Sequence, residues 1–78
     1  MIRGKVVAQF WATKHIDSLP TGPLLEVELT SGELIIAFDP LGCGIDESVL
    51  ITRGAVAAAW FGTEKPCIDA VIIGSLEE

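Results

Sequence analysis

The chain has 78 residues, half of them hydrophobic, and carries five Lys or Arg against eleven Asp or Glu for a formal net charge of −6. That length accommodates one small domain over residues 1–78 and excludes a second core, while the surplus of acids makes nucleic acid a poor partner, since phosphate-backbone affinity comes from clustered cations. The longest apolar run, Ala55 to Phe61, falls far short of the roughly 20 residues of a membrane span, so no membrane partner is expected; Arg3 and Lys5 are not followed by an apolar signal core, so the chain reads as cytoplasmic.

Residues 2–13 alternate as a long strand, with Ile2, Gly4, Val6, Ala8, Phe10 and Ala12 on one face and Arg3, Lys5, Val7, Gln9, Trp11 and Thr13 on the other. Residues 14–23 hold two prolines and a glycine without a sustained period and read as a loop. Leu25, Val27 and Leu29 then alternate with Glu26, Glu28 and Thr30, and Ser31-Gly32 turns the chain into a third strand over 33–39, a hairpin signal.

The segment from Asp39 to Gly54 organises the rest. An Asp-Pro ends the third strand, glycines at 42 and 44 let the backbone turn tightly or approach another surface, and Ser48 to Thr52 forms a fourth strand that stops at Arg53-Gly54. No lysine or serine stands where a phosphate-binding loop needs one, and no helix follows directly, so this is a contact loop and not a phosphate cradle. Ala55 to Gly62 reads as a single short helix with almost no polar face, Thr63 to Pro66 as a turn, and Cys67 to Leu76 as a fifth strand ahead of the acidic Glu77-Glu78.

Five strands with one short helix before the last predict a mainly β fold: a small OB-like, closed or nearly closed antiparallel barrel. So small a barrel cannot bury half of its residues. The surplus apolar surface predicts a homo-oligomer, because soluble monomers rarely expose large apolar patches and small domains often rely on assembly.

Candidate chemistry is thin. His15 is the single histidine and reads as a solvated loop residue; Glu26 and Glu28 share the water-facing side of a hairpin, which explains them more simply than a catalytic carboxylate pair. A metal site drawn from His15, Asp39, Cys43 and Cys67 lacks the short paired spacing that zinc sites use. Both cysteines are expected as reduced thiols, Cys43 as a small buried residue. No cofactor, metal or catalytic residue is expected. The competing class is an OB-fold binding module for single-stranded nucleic acid or a small ligand, which combines a basic groove with stacking aromatics; this chain is acidic and places Trp60 and Phe61 in an apolar run.

Three segments in order resemble the EutN/CcmL family of bacterial microcompartment vertex proteins: the opening Met1-Ile2-Arg3-Gly4-Lys5-Val6-Val7; the centre Asp39-Pro40-Leu41-Gly42-Cys43-Gly44 with Val49-Leu50-Ile51-Thr52-Arg53-Gly54; and the ending Pro66-Cys67-Ile68-Asp69-Ala70-Val71-Ile72-Ile73-Gly74. Where the family's middle loop usually reads Gly-Ala-Gly, this chain has Cys43, and Ala55-Val56-Ala57 follows Gly54 without the family's further arginine. The resemblance implies a structural shell protein and not an enzyme: a homopentamer, partnered by hexameric shell proteins, that caps the vertices of carboxysomes or related compartments in the bacterial cytoplasm. It also implies that Gly42, Cys43, Gly44, Arg53, Gly54 and Ala55 lie at a subunit interface or pore loop, where glycines let loops crowd near a symmetry axis.

Overall fold

The structure, a computed structural model, describes residues 1–62 and 67–77. The turn expected over 63–66 and the last residue of the acidic tail lie outside the described residues. Five strands, β1 (Ile2–Phe10), β2 (Leu24–Leu29), β3 (Leu34–Phe38), β4 (Ser48–Arg53) and β5 (Ala70–Leu76), and one helix, α1 (Ala55–Trp60), follow in the expected order. They close into a barrel with the strand sequence β1-β2-β3-β5-β4. Closure leaves no sheet edge open for pairing.

The barrel is not wholly antiparallel as expected. β3 and β5 meet in parallel at Phe38 and Val71, because the connection through β4 and α1 returns the chain in the direction of β3. The first strand is also shorter than its alternation suggests, ending at Phe10. Between Val6 and Ala8 its register against β2 shifts. At the same place the Val6 N–H donates to the Glu47 carbonyl (3.0 Å) and the Asp46 N–H donates to the Val6 carbonyl (2.9 Å). The bulge upsets the two-residue alternation beyond it, so Phe10, expected on the inward face, is 46% exposed. β5 begins at Ala70, later than the expected Cys67.

Alternation elsewhere delivers the core. Val6, Leu25, Val27, Val49, Ile51 and Ile72 are enclosed inside the barrel, each worth about 1.5–3 kcal/mol of transfer free energy. A second, smaller cluster joins Phe38, Ala57 and Val71 beneath α1, with Leu24, Phe61 and Ile68 packed against it. Gly54, at φ 78°, caps this six-residue helix without a side-chain hydrogen bond. The helix is too short to hold itself by propensity and stays in place through Ala57 and the edge-on contacts of Phe61 with Phe38 (5.7 Å) and Trp60 (5.2 Å).

The hairpin signal holds. Gly32, at φ 91°, donates its N–H to the Leu29 carbonyl (2.9 Å), a three-residue connection that needs a left-handed residue at its end.

Candidate functional site: the loop between β3 and β4

Residues 39–47 run between β3 and β4, and one side chain organises them. Asp39 is 2% exposed, yet its carboxylate has partners: it accepts N–H bonds from Leu41 (2.9 Å), Gly42 (3.2 Å) and Cys43 (2.7 Å). An Asp before proline favours such a turn, and a carboxylate taking several backbone donors is the arrangement that makes a buried charge tolerable. The same three bonds hold the loop backbone in one shape.

Further ties fix the rest of it. Cys43 is buried and belongs to the same core cluster as Val6, Leu25, Val49 and Ile51. The Glu47 N–H donates to the Gly44 carbonyl (3.2 Å), and the Glu47 carboxylate accepts from the Ser75 hydroxyl on β5 (3.1 Å). Hydrogen bonds from the Gly44 backbone and then Ser75 hold that carboxyl below its ordinary value. Gly42 sits at φ 87°, a conformation that costs other residues strain, while Gly44 does not; the further left-handed residue is Asp46, at φ 72°. The loop still presents two large apolar side chains to solvent, Leu41 and Ile45, each more than half exposed.

Arg53, Gly54 and Ala55 lie elsewhere, at the junction of β4 and α1. The Gly54 N–H donates to the Asp69 carbonyl (2.8 Å), joining that junction to the approach to β5. Arg53 lies 3.7 Å from Glu33 in an ion pair with both side chains about half exposed, a pair worth little. Among the described residues no hydrogen bond or ion pair joins 42–44 to 53–55, and Cys43 is a core residue.

Burial, followed by the Asp39 and Glu47 charges, pushes the Cys43 thiol up to about 11, which keeps it protonated and unreactive. His15 is exposed on the loop after β1, Cys67 is exposed and unpaired, and the Asp39 oxygens are occupied by backbone donors. Among the described residues no group of three His, Cys, Asp or Glu could hold a metal ion. Sequence reasoning took Asp39 as part of the Asp-Pro that ends the third strand and missed that it shapes the loop; the Asp-Pro-x-Gly pattern itself was the available signal.

The family described as ethanolamine utilisation protein EutN/carboxysome matches residues 1–76. The chain belongs to the EutN/CcmL family. A pentameric shell protein from the RMM microcompartment is 48% identical, with a TM-score of 0.88 over 97% of this chain and all of that one. The structure of Gloeobacter violaceus CcmL is 32% identical, with a TM-score of 0.78 over 97% of this chain and 84% of that one. The carboxysome shell vertex protein CcmL of Gloeobacter violaceus is 45% identical over 42 residues, which span 54% of this chain and 42% of that relative. For a EutN/CcmL chain, Cys43 and the absence of a second arginine after Arg53 are departures from the motifs quoted above. The first fills a core position with its thiol.

Proposed function

We propose that this EutN/CcmL chain is a structural protein that assembles as a ring of five and caps the vertices of a polyhedral microcompartment shell, abutting hexameric tiles. One observation carries the reading. The 39–47 loop is pinned by Asp39, Cys43 and Glu47, yet it holds Leu41 and Ile45 out into solvent. A preorganised backbone that displays apolar side chains loses little entropy on docking, which is the physical signature of a binding loop. Phe10, Trp11, Ile16 and Ile36 add to the uncovered apolar surface.

A head-to-tail contact between two different patches closes into a ring when its rotation permits. Such a ring would carry five times the chain's −6, a formal charge of −30, so its acids belong on outer surfaces and not across the seams. Gly42, Cys43, Gly44, Arg53, Gly54 and Ala55 are proposed for the subunit contacts or the opening, with Cys43 acting through its burial and not by touching a neighbour. No catalytic role is assigned to the chain.

The reading of a single-stranded nucleic-acid module is disfavoured. Phe61 packs edge-on against Phe38 and Trp60, and Trp60 lies tilted against Phe38, so these rings serve the cluster beneath α1, while the chain as a whole is acidic. Co-expression with a hexameric tile protein followed by electron microscopy tests the vertex role. Closed polyhedra that carry this chain at their corners are expected, with open sheets or tubes in its absence; identical assemblies with and without the chain would overturn it.

A further inference from the structure

A small hollow of about 60 Å³ opens in the loop over 11–23. Trp11, His15, Leu19, Pro20 and Leu24 are among its walls, and no residue of the 39–47 loop is. Such a volume lies well below the roughly 300 Å³ at which small-molecule sites begin. It suits one aliphatic side chain.

Two contacts set where the hollow stands. A Cβ on Gly22 would come within 2.8 Å of the Phe38 ring, so glycine lets the loop lie against the end of β3. One residue further on, the Pro23 carbonyl accepts the Asp39 N–H (3.1 Å). The hollow and the tip that carries Leu41 and Ile45 therefore leave the barrel from one shared anchor. A head-to-tail contact closes on a definite number of copies only when its two patches keep a fixed angle, and this bond helps to hold it.

Chemistry separates the hollow from the larger cleft across β1. Arg3, Lys5, Glu28 and Asp46 line that cleft, so an apolar side chain entering it would strip water from four charged groups. No carboxylate lines the hollow, and the loop around it offers Lys14 and His15 against one acid, Asp17. The tip is the reverse: exposed Asp46 and Glu47 follow Ile45, and 39–47 contains no lysine or arginine. An apolar knob with an acidic flank matches an apolar hollow beside a lysine and a histidine.

We infer that the hollow in the 11–23 loop receives the Leu41 side chain of a neighbouring copy, so that the tip of each chain seats in the next. The inference rests on the ring reading for its second copy and names the surfaces that meet. Two cysteine probes test it in a Cys67→Ser background, where Cys43 stays buried. Leu41→Cys on one chain and Leu19→Cys on a second chain with a heavier tag are co-expressed, oxidised and separated by mass without reductant, with Ser31→Cys replacing Leu19→Cys as the control. Native mass spectrometry of the unoxidised protein gives the number of copies, and Trp11→Ser without probes supplies a second readout.

A disulfide-linked pair containing one chain of each kind is expected with Leu19→Cys and not with Ser31→Cys. Trp11→Ser, which removes one wall, should raise the concentration at which the assembly dissociates about tenfold while β-rich circular dichroism persists. Assembled protein that gives no mixed disulfide overturns the inference and leaves the ring reading standing. So does a mixed disulfide as abundant with Ser31→Cys, or a folded Trp11→Ser variant that assembles like the wild type. The mixed disulfide in assemblies of a number other than five refutes the ring of five and keeps the contact. A wild type that is monomeric overturns both.

Discussion

Two loops leave the barrel, and they are built on opposite terms. The loop over 39–47 is tied by one buried carboxylate to three backbone donors, by Cys43 to the core and by Glu47 to β5. The loop over 11–23 is mostly exposed; its end is tied where the Asp39 N–H donates to the Pro23 carbonyl (3.1 Å), but over 11–22 the bonds recorded are local, Leu19 N–H to the Ile16 carbonyl (3.1 Å) and His15 to the same carbonyl (3.1 Å). Both display apolar side chains, Leu41 and Ile45 on the first, Trp11 and Ile16 on the second. A contact made by the first is prepaid in conformational entropy, whereas a contact made by the second must order its own backbone.

The largest expected effect comes from breaking the first loop at its anchor. Asp39→Ala leaves three donors without their acceptor at a buried position and should cost about 3 kcal/mol in urea unfolding, whereas Asp17→Ala in the second loop should stay within about 0.5 kcal/mol. Equal losses in the two would remove the distinction. Next are the tip substitutions. Gly42→Asp has room for its side chain but occupies a φ of 87° that favours glycine; like Leu41→Asp and Ile45→Asp, it should abolish the ring while β-rich circular dichroism persists. Intact rings in all three would show that the tip touches nothing.

A smaller effect sharpens the contrast in burial. Cys43, raised to about 11 by burial and its acidic neighbours, should resist iodoacetamide at pH 8 in the native protein while exposed Cys67 reacts, as mass spectrometry of the peptides would report. Because its folded value lies above that of the unfolded thiol, near 9, this group's contribution is intact below pH 9 and declines as pH rises toward 11. Glu47 acts in the other direction: its lowered value adds stability at neutral pH that is lost as pH falls through the carboxylate range. The smallest effect is Arg53→Ser, expected to change stability by less than about 0.5 kcal/mol, since its ion pair is open to solvent.

Most of the barrel was legible because its strands alternate and its turns carry glycine where φ is positive, as at Gly32 and Gly54. The end of β1 was not. Its apolar alternation continues on paper to Ala12, but the bonds from Val6 to Glu47 and Asp46 are tertiary and have no local signal. The parallel contact of Phe38 with Val71 was hidden for the same reason. Of the loop, its position and the tight turn at Gly42 were readable from the glycines. The placement of Cys43 inside the core was expected from its size, whereas the three backbone bonds to Asp39 required the fold.

The central claim is that this barrel is incomplete alone, and native mass spectrometry at micromolar concentration tests it most directly. The account predicts a dominant species of five times the 8.3 kDa chain that the Leu41→Asp variant reduces to monomer. A wild-type protein that flies as a stable monomer, folded and with Leu41 and Ile45 still exposed, would contradict it.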